Sequence, residues 1–505
     1  MATKTEMFDL VVLGAGPAGE NVADVAHARG LTLFASDARP YFPTHYASDL
    51  YSIERHLVGG ECSYYACIPS KALLRAGAAL RAAQRVDGAK QAVAVSGVDV
   101  VGVLRRRDYM TSGGDDKGQV GWLKGAGIEL FRGVGKLAGP KKVEVLAQDG
   151  STLTLEAKHA VCISTGTVPL IPPIPGLEQA GYWTNREATS TGTVPKSLLI
   201  LGGGVVACEM ATAYASFGCR CTVLVRGMGL LERMEPFAGE GVGKGLKELG
   251  VDVRFAVDTT RVDRVEGEVV AQTSKGEFRA EEILVATGRK PATADLGLPS
   301  VSVGLGPGGY IPVDDTLLVS APTNEAEPWL YALGDVNGRA LLTHMGKYQG
   351  RQAGEAIAAR ARGRALGPLG KAEAWGRYTA TADEGAVPQI VYTDPEVASV
   401  GLTAAEAEKR GRKIRVVDYA LGSVAGSYLL ADGYAGHARW VVDRDRQVIL
   451  GATLVGQDVG ELVHAATVMV VGEVAVARLW HAVPSFPGMG EVWLRLLEGL
   501  GRGDE

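Results

Sequence analysis

Phe8-Asp9-Leu10-Val11-Val12-Leu13-Gly14-Ala15-Gly16-Pro17-Ala18-Gly19 decides the fold. Its apolar run is short and followed at once by glycines, the pattern of a buried parallel strand leading into a tight turn. Glycine lets the backbone turn and approach a pyrophosphate, which sits against the exposed N–H groups of the next helix. That helix is Ala-rich and runs through His27. Alone the pattern is weak, but a second copy strengthens it. Ser197-Leu198-Leu199-Ile200-Leu201 leads into Gly202-Gly203-Gly204-Val205-Val206-Ala207-Cys208-Glu209, where Gly202, Gly204 and Ala207 take the places of Gly14, Gly16 and Gly19. Two strand–turn–helix copies predict two dinucleotide sites in an α/β chain.

The end of the second strand in such a unit carries the group that reads the ribose. In the second copy, Cys221-Thr222-Val223-Leu224-Val225 ends in Arg226, where an NAD site would place an acid. Arginine there pairs with a 2′-phosphate, and Arg233 stands nearby in sequence, so NADPH is favoured over NADH; an exposed strand-end arginine is the plainer alternative. The first copy offers two acids. Counting forward from Gly30 reaches Asp37; counting back from Cys62 reaches Glu54. Between them, residues 38–53 read as an inserted loop rich in Tyr, Pro, His and Ser. An insertion inside a central strand would break its ladder, so Leu31-Thr32-Leu33-Phe34-Ala35-Ser36 is the preferred strand, ending at Asp37. The other reading puts a short strand at Tyr51-Ser52-Ile53, ending at Glu54.

Downstream lies Gly59-Gly60-Glu61-Cys62-Ser63-Tyr64-Tyr65-Ala66-Cys67-Ile68-Pro69-Ser70-Lys71. Residues i and i+5 of an ideal helix have Cα atoms roughly 8–9 Å apart, whereas a disulfide tolerates at most about 7 Å. A Cys62–Cys67 bridge therefore requires a distorted helix start, which would strain it and ease its reduction. Two separate buried thiols are the alternative. The chain has 505 residues, too many for one core, and suggests about three or four domains. Hydrophobic residues make up 46% and charged ones 22%, an ordinary globular balance, and 68 glycines imply many tight turns. A net charge of −5 without a long basic run argues against a nucleic-acid partner. No apolar run is long enough to span a bilayer, and the N-terminus leads into a strand rather than a signal peptide. The six cysteines do not form a secreted framework at this size. A cytoplasmic protein is expected, in which a Cys62–Cys67 bridge would be catalytic rather than structural.

Three further glycine motifs follow. Ile163-Ser164-Thr165-Gly166 precedes a proline-rich run at 169–175, and Leu284-Val285-Ala286-Thr287-Gly288-Arg289 repeats the idea beyond the second nucleotide turn. Leu330-Tyr331-Ala332-Leu333-Gly334-Asp335 is a strand ending in an acid suited to accept a hydrogen bond from a flavin's ribityl hydroxyl. With these motifs in this order, and Val387-Pro388 through Gly401-Leu402-Thr403 after them, nearly the whole chain resembles the class I pyridine nucleotide–disulfide oxidoreductases, the family of dihydrolipoyl dehydrogenase, glutathione reductase and mercuric reductase. The resemblance implies two Rossmann-like domains, for FAD and NAD(P), plus a C-terminal α+β dimerisation domain in a homodimer. The expected segments are 1–178 (FAD domain with the cysteine pair), 179–294 (NAD(P) domain), 295–378 (FAD and central domain) and 379–505 (dimerisation). It further implies that a hydride passes from the nicotinamide to FAD and that the flavin then opens the disulfide. Cys62 would be the outer thiol that attacks substrate, Cys67 the inner one, and Lys71 would lie near the flavin and pair with Glu209. Gly14, Gly16, Gly19, Thr165, Gly166 and Asp335 would hold FAD, with Asp37 or Glu54 on its ribose. Gly202, Gly204, Ala207, Arg226 and Gly288 would hold the nicotinamide cofactor.

The departures narrow the function. Disulfide-reducing relatives carry a His five residues before a Glu near the C-terminus; here Phe486-Pro487-Gly488-Met489-Gly490-Glu491 puts phenylalanine in the acid/base position and keeps Glu491. A ring without a titratable nitrogen cannot protonate a leaving thiol. His481 and His464 are the nearby alternatives, each more readily read as an ordinary polar residue. Val205 replaces a nicotinamide-gating tyrosine, and Tyr64-Tyr65-Ala66 replaces a small polar loop, giving a more aromatic substrate face or simply core packing. No paired cysteines occur near the C-terminus and no metal-binding domain precedes residue 8, which argues against mercuric reductase, and no metal site is expected. What remains is an NADPH-dependent FAD enzyme acting on a small-molecule disulfide, a quinone or another two-electron acceptor. The alternatives are NAD-dependent dihydrolipoyl dehydrogenase and a redox-sensing flavoprotein.

Overall fold

The computed structural model describes residues 4–31, 50–93, 97–147, 149–321, 327–368 and 371–502. The chain divides into two compact units. The first comprises Met1–Tyr64, Thr111–Val168 and Arg289–Glu384; the second comprises Tyr65–Met110, Pro169–Gly288 and Gly385–Glu505.

In the first unit, Lys4–Leu13 is a strand whose side chains enter two different cores. Phe8, Val11 and Leu13 join one cluster, Leu10 and Val12 another. That two-faced burial is why its apolar run does not alternate. Parallel strands lie side by side in the order Ile128–Leu137, Leu50–Glu54, Lys4–Leu13, Thr152–Ile163 and Leu330–Ala332. The strand Lys142–Ala147 runs antiparallel to parts of Ile128–Leu137 and Thr152–Ile163. The helix Pro17–Ala28 crosses the helix Thr343–Ala361 at close range: a Cβ on Gly350 would lie 2.6 Å from the Ala18 carbonyl oxygen.

Residues 32–36 of the preferred strand lie outside the described residues, and a strand that pairs with the first is Leu50–Glu54. Its ladder runs without interruption from Leu10↔Leu50 to Leu13↔Ile53. Tyr51, Ser52 and Ile53 thus belong to a paired strand, and the ladder argument does not favour Asp37. Leu31 is buried, whereas Asp37 lies outside the described residues.

In the second unit, Glu282–Val285, Ser197–Leu201, Arg220–Leu224 and Asp252–Arg254 form a parallel sheet in that order. The helix Val205–Ser216 follows the Ser197–Leu201 strand. A three-stranded antiparallel sheet, Thr259–Val265, Glu268–Thr273 and Gly276–Ala280, is attached after it in sequence. The C-terminal part builds a five-stranded antiparallel sheet in the order Gln389–Val391, Glu396–Gly401, Val448–Gly456, His437–Asp443, Ile414–Ala420. Trp440 of that sheet stacks on Trp493 of the helix Glu491–Leu500 with centroids 5.8 Å apart. The architecture is α/β with an α+β C-terminal part. Among the described residues, no helix is long and apolar enough to cross a membrane.

Candidate functional site

Both glycine turns solve the same steric problem in the same way. Gly14 has φ +103°, and a Cβ there would lie 2.6 Å from the Ser164 carbonyl oxygen. Gly202 has φ +126°, and a Cβ would lie 2.3 Å from the carbonyl oxygen of Ala286. These first glycines are required by the protein itself. The second glycines are not: among the described residues, a Cβ on Gly16 or Gly204 would meet no atom within 4 Å. Each caps a helix N-terminus in extended conformation. Space that the protein leaves open beside exposed helix N–H groups fits a pyrophosphate. Gly19 and Ala207 are buried where helix meets strand, and a Cβ on Gly19 would lie 2.0 Å from the Gly14 carbonyl oxygen.

Around the first turn, Gly14 donates to the Ile53 carbonyl at 2.8 Å, and the Glu54 carboxylate accepts from the backbone N–H groups of Ala15 and His56, both at 2.9 Å. Glu54 thus ends its strand beside the glycine turn. Thr165 donates through its hydroxyl to the Ala292 carbonyl at 2.9 Å, and Gly166 has φ +71°. Glu20, on the first turn of the helix Pro17–Ala28, has a buried Oε1 with no hydrogen-bond partner among the described residues. Burial pushes its pKa up to about 7, with Lys347 pulling it down and Glu54 pushing it up. Its folded pKa lies above the unfolded value, so the native state holds the extra proton between about 4.5 and 7. Stability therefore falls as pH rises through that window, and the penalty is complete above it. Glu20→Gln is expected to raise the melting temperature by several degrees at pH 8 and to leave it nearly unchanged at pH 4.5, as thermal melts at the two pH values would read.

The cysteine segment is where the chain passes from one unit to the other, between Tyr64 and Tyr65. Instead of one distorted helix there are two, Gly60–Tyr64 and Cys67–Gln84, with Ala66 at φ −138° and ψ −98° before the second. The ideal-helix separation therefore does not govern the pair. Both cysteines are half-buried. On the first side, the Tyr64 hydroxyl bonds to Gln119, whose amide nitrogen donates to Ser63 Oγ at 3.1 Å. Tyr64 is buried, and desolvation pushes its pKa up to about 12, so this tyrosine belongs to the core rather than to a substrate face. A charged chain stands beside Cys62 in sequence. Arg289 Nη2 meets Glu61 Oε2 at 2.6 Å and the Thr167 carbonyl at 2.7 Å, while its Nε donates to Thr167 Oγ1 at 2.6 Å. Thr167 Oγ1 in turn donates to Asp335 Oδ2 at 2.9 Å. Burial raises the Asp335 pKa, opposed by the Thr167 hydrogen bond and the Arg289 charge.

In the second unit, Cys67 is the first residue of an 18-residue helix, a position that favours a thiolate. One turn on, Lys71 Nζ pairs with Glu209 Oε2 at 2.8 Å. Glu209 is buried, and its other oxygen accepts from the Tyr392 backbone N–H at 3.0 Å; the Lys71 ammonium also lies 4.9 Å from the Tyr392 ring centroid. Tyr65 has Arg186 over its ring at 5.0 Å, and its carbonyl accepts from Asn185. Arg226 is exposed two residues past the end of Arg220–Leu224, and Gly288 has φ +129°. Phe486 is 76% exposed, whereas Glu491 is 4% exposed and its Oε2 is buried with no partner among the described residues. His464 and His481 are both exposed on the surface.

Arg289, Thr167, Tyr392, Glu61 and Glu20 escaped the sequence reading. Arg289 was within reach, because it directly follows the Thr287-Gly288 motif. The other four carry no local pattern: Thr167, Glu61 and Tyr392 have partners remote in sequence, and Glu20 stands out only by its burial.

The chain is 30% identical over 451 residues to a mercuric reductase of Acidithiobacillus ferrooxidans, spanning 89% of this chain and 76% of that protein. It is 27% identical over 500 residues to a dihydrolipoyl dehydrogenase of Chlamydia pneumoniae, spanning 97% and 96%. In fold it is similar to the Cu(II) complex of the HOCl-induced flavoprotein disulfide reductase RclA from Escherichia coli, with a TM-score of 0.79, 22% identity and coverage of 98% and 99%. LpdA from Mycobacterium tuberculosis is similar in fold at a TM-score of 0.78, 21% identity and coverage of 99% and 100%. Residues 8–359 match the pyridine nucleotide-disulphide oxidoreductase family and residues 387–496 match its dimerisation domain. With two pyrophosphate-ready turns and, in sequence, a cysteine pair after the first of them, the chain belongs to the pyridine nucleotide-disulphide oxidoreductase family, FAD-dependent enzymes that use NAD(P)H and act on sulfur groups.

Proposed function

We propose that this enzyme is an NADPH-dependent reductase that passes electrons through Cys62 and Cys67 to a small disulfide or another two-electron acceptor. The observation that carries this reading is the start of the helix Cys67–Gln84: the second cysteine at its N-terminus, with the Lys71–Glu209 pair one turn on. A thiolate at Cys67 is favoured there, and the buried Glu209 holds the cation in place. Gly14, Gly16, Gly19, Glu54, Thr165, Gly166 and Asp335 would hold FAD, which when bound supplies two-electron transfer between nicotinamide and thiol pair. Gly202, Gly204, Ala207, Arg226 and Gly288 would hold the nicotinamide nucleotide. A homodimer built through the dimerisation domain, in the cytoplasm, is part of the same reading, as is the division into segments 1–178, 179–294, 295–378 and 379–505.

One observation favours a quinone-type acceptor as a second reading. Phe486 offers an exposed apolar ring where disulfide-reducing relatives resembling this chain carry a histidine. A quinone needs no general acid aimed at a leaving thiol. Dihydrolipoyl dehydrogenase activity with NAD fits less well, because both Arg226 and Phe486 stand against it.

Arg226 tests the cofactor preference. A charge-assisted hydrogen bond to a phosphate contributes about 1.5–3 kcal/mol. Arg226→Leu is therefore expected to lower kcat/KM for NADPH roughly 10- to 100-fold while leaving that for NADH within about twofold. Steady-state kinetics with both nucleotides decide it; equal losses with the two would remove the 2′-phosphate contact from the account.

A further inference from the structure

A short stretch of the C-terminal part grips the helix Cys67–Gln84 near both of its ends. Tyr392 directly follows Gln389–Val391, the first strand in the order of the five-stranded antiparallel sheet. The Lys71 ammonium lies over its ring, 4.9 Å from the centroid, and its backbone N–H donates to Glu209 at 3.0 Å. Lys71 and Glu209 meet each other at 2.8 Å. Two residues on, the Asp394 carboxylate accepts from Arg81 Nε and, at 2.9 Å, from Arg85 Nη2. Lys71 and Arg81 stand about 15 Å apart along the helix axis, so the stretch is fixed at two well-separated points. The Lys71 side chain is 34% exposed and that of Glu209 only 4%. The cation is thus partly stripped of water, which strengthens its attraction to a ring face.

We infer that Tyr392 is a positioning residue: its ring face and its backbone N–H hold Lys71 and Glu209 as one unit, so the C-terminal sheet fixes where the Lys71 charge sits. The role rests on the proposed reading of Lys71 as part of the redox centre. The negative face of an aromatic ring attracts a cation without taking a proton from it. Glu209 pulls the ammonium in one direction and the ring in a second, and together they define a position. Because the contact to Glu209 comes from the backbone, a side-chain change at Tyr392 leaves it in place. Substitution there loosens Lys71 and keeps the N–H donor of the buried carboxylate.

Graded weakening of the ring tests this on the holoenzyme. Lys71 is acetylated with limiting acetic anhydride at pH 8 and its label followed by peptide mass mapping, while the flavin midpoint potential is read against a reference dye. A ring face over a partly exposed cation shifts an equilibrium about two- to fivefold. Tyr392→Leu is thus expected to speed Lys71 labelling about two- to fivefold, whereas Tyr392→Phe keeps the face and stays within about 1.5-fold of the native rate. Stepwise fluorination of the ring in Tyr392→Phe withdraws charge from its face with little change of shape. Labelling is expected to rise with each added fluorine; a purely structural role would leave it flat. A flat fluorinated series, or a Tyr392→Leu rate within about 1.5-fold of native, would overturn the inference. The potential reports on the redox reading separately. A cation beside the flavin favours its reduced anion, so loosening Lys71 is expected to lower the potential by about 10–20 mV, the same fold-change for a two-electron couple. An unchanged potential with a rising labelling series would take Lys71 out of the flavin's surroundings and leave Tyr392 as the residue that holds it.

Discussion

A Cys67→Ser variant is expected to lose NADPH-driven reduction of a small disulfide by about a thousandfold or more, because without the inner sulfur no Cys62–Cys67 bridge can form or be opened, and residues that act as a unit lose nearly the whole effect when one is removed. Serine is close in size and keeps the start of the helix Cys67–Gln84 polar, and Cys67 is only half-buried, so the fold is expected to survive. The same variant is expected to reduce a simple quinone within about twofold of the native rate, since that route does not need a sulfur pair. The contrast between the two acceptors, measured on one preparation, separates loss of the relay from loss of the protein. Equal loss with both acceptors would mean that Cys67 is structural. Phe486→His extends the logic in the opposite direction: the buried, unpartnered Glu491 Oε2 is a ready acceptor for a ring N–H five residues earlier in sequence. A gain in disulfide turnover is the expected result, because a positioned acid/base contributes roughly 10²–10⁴-fold where it is aligned.

The second large effect separates the two kinds of glycine. Gly14→Ala must place a Cβ 2.6 Å from a backbone oxygen at φ +103°. Left-handed backbone costs about 1–2 kcal/mol and overpacking about 1–3 kcal/mol, so a loss of roughly 2–5 kcal/mol is expected even before any cofactor binds. Gly202→Ala, against Ala286 at 2.3 Å, should behave alike. Gly16→Ala and Gly204→Ala meet no atom within 4 Å among the described residues. They cost at most about 1 kcal/mol as poorer helix caps. Their added methyl instead occupies the open cradle, so nucleotide affinity is expected to fall roughly 10- to 100-fold, for FAD in the first case and NADPH in the second. Thermal melts of the cofactor-free protein, paired with binding titrations, give the two readouts. If Gly16→Ala destabilised the cofactor-free protein as much as Gly14→Ala, the cradle would be a packing contact rather than a ligand seat.

The sequence made the repeated strand–turn–helix legible because its determinants are local: apolar runs, glycines at fixed spacing and a following helix. The same is true of the cysteine pair and of Lys71, one helical turn beyond the second cysteine. Glu209 was reached through family resemblance, because its partner is 138 residues away. Register was harder to read. Residues 31–36 and Leu50–Glu54 both read as strands, and of the two only Leu50–Glu54 lies wholly among the described residues, where it pairs with the first strand. Helix continuity across Ser63–Ala66 was also not readable, since neither Tyr64 nor Tyr65 is a strong breaker; the break appears as an Ala66 backbone outside the helical range. The charged chain from Glu61 to Asp335 was invisible for a plainer reason. Its members are scattered over residues 61–335, and their contact is a product of the fold alone.

The central claim is that Cys62 and Cys67 exchange electrons with bound FAD. Anaerobic titration of the purified holoenzyme with NADPH, following the flavin spectrum, tests it most directly. The account predicts a long-wavelength thiolate-to-flavin absorbance after the first two electrons, uptake of a second pair thereafter, and loss of both features in Cys67→Ser. Flavin bleaching complete at two electrons, with no such band in the native enzyme, would contradict it and take the cysteine pair out of the electron path.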